Sequence, residues 1–538
     1  MNTLRVACLF TCLLFCVGLA AELSTDWFGT YGGTGNDEAT ASCFDSAGNY
    51  YIAGNFKGIL DIDNQTLDSG THSVIFIAKL NSEGQLLWAK QSTGSAPNTC
   101  VAYVKSICAD ASGNLYICGE FKGKMGFGIG TALNAGSSDD IFVAKLNPTG
   151  TFAWAKIAGT SGVDDIANSI CLGTDDSLVL CGDFSGAADL FGMPATSSGS
   201  TDIFVAKLNP MNGERLELST FGSSDTNTAN SICATPNGNY AMCGTSTGTI
   251  VFGSTTLTAL DKEAYVCALD TNLEPLWAIS SDGIGIQEGD TICANSNSIF
   301  ISGRYTSAVS FDNPSNSLPN IGTAIFAAKL DLSGNFVWLK SLGRTTTYSA
   351  STSSYVNTNA ELYLAGSFAD SLGTLISSGS SDGYILKLSS DGNYLWKHAL
   401  GGTFNDSTNS ICGNSCGQVL CAGYFTSVNA NIIENTPVNH GLKDLYAVVF
   451  SEPSSIIPAS PQNLHIDMIA GALQLNWNTV TVSQTGSPLT VTGYQIYHSS
   501  TLLAEDFQLL DECSETSYDL SGEELSSDVR FYKVIAVQ

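Results

Sequence analysis

The stretch "SICADASGNLYICGEFKGKMGFGIGTALNAGSSDDIFVAKLNPTGTFAWAK" (residues 106–156) contains four short apolar runs separated by turn residues. Runs of four to six apolar residues bounded by Gly, Asn, Asp and Ser read as strands. "DASGN" joins the first run to the second. Elsewhere "NSEGQ" and "DLSGN" join the third to the fourth. Such turns carry Gly or Asn because tight hairpins require positive φ. The four-run unit recurs along the chain. Its second run keeps a glycine at Gly54, Gly119, Gly182, Gly244, Gly303, Gly366 and Gly423, and its third run reads "IFIAKL", "IFVAKL", "IFAAKL" or a close variant. A four-stranded antiparallel unit of this length, repeated radially, is a β-propeller blade.

The fourth run carries Trp88, Trp154, Trp277, Trp338 and Trp396, with Leu216 taken as the replacement in one unit. The seventh unit stops at "LYAVVFSEP" (445–453) without a fourth run, whereas "TDWFGTYGG" (25–33) carries Trp27 ahead of the first. The expected fold is therefore all-β: a seven-bladed β-propeller over 24–451, closed by the N-terminal strand, which also covers an otherwise open edge. The phrase "GGTGNDEATASCFDSAGNYYIAGNF…IFIAKLNSEGQLLWAK" resembles the bacterial SBBP family, named for seven-bladed propeller repeats. That resemblance spans roughly 27–451 and implies the fold while leaving function open.

A Pro/Ser-rich linker (452–461) is expected to lead into a small β-sandwich (462–538). Trp477, Tyr494, Tyr497 and Tyr532 on alternating strands resemble a fibronectin type III module, which implies a spacer or attachment unit. Residues 1–21 read as a signal peptide: Arg5, an apolar run, then Gly18-Leu19-Ala20. The mature chain is expected to lack a transmembrane segment and to be secreted, extracellular or at the cell surface, with the periplasm as an alternative. A net charge of −29 with only 21 Lys and Arg excludes a nucleic-acid partner, since phosphate contacts need clustered cations.

Chemistry is sparse. His72, His398, His440, His465 and His498 are scattered, no Ser-His-Asp set can be argued, and the repeat-breaking Arg304, Arg344 and Glu288 suggest no convergent group. One cysteine column runs Cys43, Cys108, Cys171, Cys233, Cys293 and Cys412, and a second runs Cys118, Cys181 and Cys243. Cross-strand disulfides Cys108–Cys118, Cys171–Cys181 and Cys233–Cys243 are one reading. Small buried fillers are the other, because the first column persists where the second is Ala or Ser.

Carboxylates do follow the repeat. Asp140, Asp202, Asp382 and Asp444 open third runs, and Asp37, Asp165 and Asp406 stand six residues before the cysteine column. All fall on the face built by the connections between second and third runs and between units. They read as turn caps, as an acidic mouth for an ion (Ca²⁺ being the candidate) or a glycan or protein ligand, or as a hydrolytic pair. Near-equivalent carboxylates are poor candidates for distinct acid and base roles. The expected function is therefore non-enzymatic binding through one acidic face, without a cofactor. The alternatives are a carbohydrate-active enzyme with channel-mouth carboxylates and a structural component of an outer cell layer.

Overall fold

The computed structural model describes residues 23–451 except 96–99, 161, 312 and 345–349, and beyond these 465–469, 472–479, 493–499, 508–519 and 531–537. The signal segment 1–21 and the linker 452–461 lie outside the described residues. The fold is an all-β propeller, with no helix among the described residues. Contacts divide the chain into the unit Ser24–Ser451 and a second unit that holds the strands after Ser451.

Each repeat forms a four-stranded antiparallel meander. One set runs Ile166–Leu172, Leu178–Phe184, Asp202–Leu208 and Arg215–Phe221, paired in that order. The second and third strands are buried on both faces and the fourth is half exposed. The first strands are Asp37–Phe44, Val101–Ala109, Ile166–Leu172, Asn227–Ala234, Gln287–Ala294, Ala350–Val356 and Ser407–Gly413. They pack side by side in a closed circuit in which the last lies against the first. The set containing Ser407–Gly413 takes its outermost strand, Ser24–Tyr31, from the other end of the chain, with Trp27 opposite Val449 of Asp444–Ser451. This is the pairing that the stray Trp27 implies.

The sheets do not separate into seven. A parallel bridge from Ser73 to Val101 and the short strand Thr93–Gly94 fuse the first two sets into one nine-stranded sheet. The strand Pro275–Asp282 extends onto the hairpin Val309–Phe311/Asn313–Leu318 of the next set, giving a six-stranded sheet. Long hairpins beyond the meanders cause both fusions, because their edges find the neighbouring set.

The tryptophans hold adjacent sets together. Each outer strand carries a bulge just before the tryptophan position, at an apolar residue in all but the N-terminal strand, where it is Asp26, so that Trp154 lies opposite Lys145 and Trp338 opposite Lys329. The indole then slides beneath the following set's last turn. Trp154 Nε1 donates to Pro210 O at 3.2 Å and Trp338 Nε1 to Ser390 O at 2.9 Å, while Lys145 and Lys329 donate to the same two carbonyls. The turn residue above five of the rings is a left-handed glycine, such as Gly213 or Gly392, where an added Cβ would come within 3 Å of the indole, whereas Trp396 packs against Phe450. One set departs from this. Opposite Lys207 stands Glu217, and Leu216 is the exposed bulge residue, equivalent to Leu87 and Leu276. The tryptophan is thus replaced at Glu217, not at Leu216, because the bulge shifts the register by one. In the turn that would cover it, the glycine is replaced by Leu273, fully buried at φ 64°.

In the second unit, His465–Ile469, Ala472–Asn476 and Ser517–Asp519 form one three-stranded sheet, and Gln508–Cys513, Gly493–Ser499 and Phe531–Val537 form another. Trp477 meets Tyr494 edge-on at 5.3 Å.

Candidate functional site

The seven first strands surround a channel with a cavity of about 420 Å³. Each carries a bulge at the same place, at Thr40, Lys105, Asn168, Asn230, Asp290, Thr352 and Asn409. A bulge re-aims a side chain that regular alternation would send elsewhere. Here it directs six of the seven across to the next first strand, five of them as donors to a backbone carbonyl. Thr40 Oγ1 donates to Val104 O at 2.7 Å, Asn168 Nδ2 to Ala229 O at 3.0 Å and Asn230 Nδ2 to Gly289 O at 2.9 Å. Thr352 Oγ1 donates to Thr408 O at 2.7 Å, and Asn409 Nδ2 closes the circuit on Ala39 O at 2.9 Å. The following serine adds a second stitch: Ser169 and Ser353 bond the backbone of Ile232 and Ile411. Neighbouring first strands therefore hold together through side chains, which explains the recurrent "NSIC".

Two of the seven are charged, and only Lys105 leaves the circle. Lys105 pairs with Glu120 at 3.0 Å instead of reaching the next strand. Asp290 accepts from Ser351 N at 3.3 Å, and burial followed by the Glu288 charge pushes its carboxyl up to about 8. Beside the channel, burial raises Asp183 to about 7 against the pull of bonds from Ala229 N and Asn168 Nδ2. Glu288 and Arg304, which the sequence offered as repeat breaks without a convergent group, do meet here, with Lys262 completing an ion triad.

The carboxylates singled out from sequence do not form an open rim. Asp37, Asp140, Asp165, Asp202, Asp382, Asp406 and Asp444 are all buried, spread over the seams between adjacent sets. Most turn inward to accept backbone N–H groups. Asp165 accepts from Thr160 N and Ser185 N, Asp406 from Gly402 N and Thr426 N, and Asp202 from Ser198 N. Asp382 accepts from Ser378 N, Asp444 from His440 N and Asp37 from Gly33 N. Burial raises Asp140 to about 7, reinforced by Asp165, and raises Asp37 to about 7 and Asp382 to about 6. Among the described residues no group of three or more His, Cys, Asp or Glu is placed to hold one metal ion.

The cysteines of the three candidate bridges are free thiols. The strand register sets them diagonally: Cys118 faces Ser106, Cys181 faces Ser169 and Cys243 faces Ser231. Cys118 and Cys181 point their sulfurs toward Ala167 O and Ala229 O of the next strand, and burial pushes every thiol of the first-strand column upward.

The opposite of a catalytic irregularity appears in the loops. Val163, Ile284, Ile286 and Phe404 stand exposed in the connections between sets. Met193, Leu260, Ile376, Val428, Val438 and Leu442 stand exposed in the hairpins between second and third strands, on the same face. The far face shows Met211. Among the described residues no helix is long and apolar enough to cross a membrane.

No protein-family model matches the chain. It is 22% identical over 382 residues to an uncharacterized WD repeat-containing protein of Acanthamoeba polyphaga mimivirus, a match taking in 55% of this chain. The chain spans about a quarter of that relative's length, 27%. Among solved structures it is similar to the quinohemoprotein alcohol dehydrogenase of Comamonas testosteroni, with a TM-score of 0.38 and 9% identity over 83% of this chain and 79% of that one. It is also similar to a fungal alcohol oxidase in complex with copper, with a TM-score of 0.39 and 10% identity over 96% and 93%. Likenesses this remote say nothing about activity.

Proposed function

We propose that this chain is a secreted or cell-surface, non-enzymatic binding protein that captures a protein or glycan through the loop face of its propeller. The observation that carries this reading is that the exposed apolar side chains of the loops, as distinct from those of the outer strands, gather on that face rather than the opposite one, with exposed Asp164, Asp225, Asp261 and Asp282 among them. Apolar anchors inside a charged rim are the composition of recognition surfaces. A seven-bladed propeller is the reading that counts the nine-stranded sheet as two blades joined at its parallel bridge, and the SBBP-like repeats and the circuit of first strands support it. The leader at 1–21 supports export. The aromatic pair Trp477–Tyr494 supports a fibronectin type III-like β-sandwich acting as spacer.

The test is capture on glycan and extracellular-protein arrays by the full chain and two variants. Phe404→Ser with Leu260→Ser should lose the bound ligand and Met211→Ser should keep it. Retention by the first variant, or loss by the second, refutes the assignment of the face. A second reading, a carbohydrate-active enzyme, draws on the raised carboxyls Asp183 and Asp290 beside the channel. It requires glycan hydrolysis that Asp183→Asn or Asp290→Asn abolishes.

A further inference from the structure

Five seams repeat one arrangement. A parallel bridge or bond aligns the residue before the third strand with the residue before the next first strand: Asn36 with Lys443, Thr201 with Thr226, Lys262 with Ile286, Ser381 with Asn405, and Asp139 O accepting from Asp165 N at 2.7 Å. The alignment sets side by side Asp444 and Asp37, Asp202 and Asn227, Glu263 and Gln287, Asp382 and Asp406, and Asp140 and Asp165. In the first two sets, whose seam has no such pair, Val74 and Ala102 are both apolar and fully buried.

The paired seams contain buried oxygens with no donor: Asp37 Oδ1, Asp140 Oδ1, Asp202 Oδ1, Asn227 Oδ1, Gln287 Oε1, Asp382 Oδ1 and Asp444 Oδ1. All are acceptors. The amide nitrogens are committed elsewhere, Asn227 Nδ2 to Ser223 Oγ at 2.8 Å and Gln287 Nε2 to Ile284 O. A buried acceptor without a donor costs about 1–3 kcal/mol. Backbone N–H groups reach one oxygen of most of these carboxylates, and the oxygen left over faces the seam without a partner, where a bound cation would satisfy it.

The Asp140 seam narrows the choice of occupant. Asp140 is 6% exposed, and its unpartnered Oδ1 lies 3.1 Å from the Cβ position of Gly159, while Asp165 Oδ2 lies 2.8 Å from the same point. A side chain on residue 159 would stand between them. The seam opens into a cavity of about 340 Å³ lined by Asp140, Gly159, Thr160 and Asp189. Asp139 and Asp164 are close enough to raise Asp140 further. One shared proton would neutralise one of these four carboxylates, whereas a dication neutralises two. We infer that the seam between Asp140 and Asp165 is a Ca²⁺ site, repeated in reduced form at Asp382/Asp406 and Asp444/Asp37. Ca²⁺ takes six to eight oxygens in flexible geometry. Two carboxylates therefore suffice when backbone carbonyls and water complete the shell, and a cluster of three acidic side chains is not required.

The test uses the full chain, stripped with EDTA and titrated with CaCl₂ at pH 7.5 by calorimetry and thermal unfolding. Saturable Ca²⁺ binding is expected, with a rise in Tm of several degrees. Asp140→Asn with Asp165→Asn should lose one Ca²⁺ equivalent, or at least tenfold in affinity at that site, while keeping the Tm of the stripped wild type. Asp202→Asn, in an acid–amide seam, should leave the Asp140 site intact and shows whether loss is specific. Absence of Ca²⁺ binding by the wild type overturns the site. So does a double variant that binds as many equivalents as the wild type. A shared proton predicts the first of these, together with an increase in stability of Asp165→Asn above pH 7.

Discussion

Glu217 and Leu273 offer a direct test of how adjacent sets are locked. Above Trp27, Trp88, Trp154, Trp277 and Trp338 a left-handed glycine covers the ring. Where Glu217 replaces it, Leu273 fills the space from the turn above, despite its φ of 64°. Emptying a buried leucine costs about 2–5 kcal/mol. Releasing an L-residue from the left-handed region returns about 1–2 kcal/mol. Leu273→Gly alone should therefore lose about 0–4 kcal/mol. Glu217→Trp alone should gain nothing, because its ring meets Leu273. Together they rebuild the arrangement of the other seams, with Thr271 O, now bonded by Lys207 Nζ at 2.9 Å, as the acceptor for the new indole N–H. The double variant should regain at least about 2 kcal/mol over the sum of the singles, well beyond the ~0.3–0.5 kcal/mol expected of independent sites. Urea unfolding of all four proteins, followed by tryptophan fluorescence and circular dichroism, measures the coupling. Additive effects would refute the proposition that Leu273 stands in for the indole.

Other outcomes follow from the same geometry. Asn409→Ala removes the bond that closes the circuit on Ala39 O and should cost about 1 kcal/mol, read as a shift in the urea midpoint at constant slope. The Asp290 carboxyl, near 4 unfolded and raised to about 8 folded, favours folding most below pH 4 and loses that contribution as pH climbs toward 8. Asp290→Asn should accordingly be more stable than the wild type at pH 8, with the difference vanishing near pH 4 in thermal melts across that range. Trp27→Ala should cost about 3–5 kcal/mol, and deleting 24–31 should bare the edge of Asp444–Ser451 and produce concentration-dependent association in sedimentation velocity. The buried thiols Cys118, Cys181, Cys243, Cys267 and Cys421 should react with Ellman's reagent only after denaturation, while exposed Cys416 reacts at once.

Strand identity, the four-strand unit and the return of the N-terminal strand to the last set were all legible in the residues. Each rests on local patterning: glycine and asparagine at hairpins, apolar runs of strand length, and a Trp-bearing phrase present at one end and missing at the other. Three features were settled only by the assembled chain. The first is the fusion of sheets, which arises where long hairpins and extended strands meet the neighbouring set. The second is the bulge column Thr40, Lys105, Asn168, Asn230, Asp290, Thr352 and Asn409, whose polar character is visible in sequence but whose direction depends on a one-residue slip that alternation cannot show; the same slip moved the missing tryptophan from Leu216 to Glu217. The third is the fate of the acidic residues. Their spacing shows that they recur, but whether a carboxylate faces water or a partner depends on the strand packed beside it, which belongs to another repeat. Patterns along one strand report which side chains alternate. The seams between sets, where the unpaired oxygens lie, exist only once the circuit has closed.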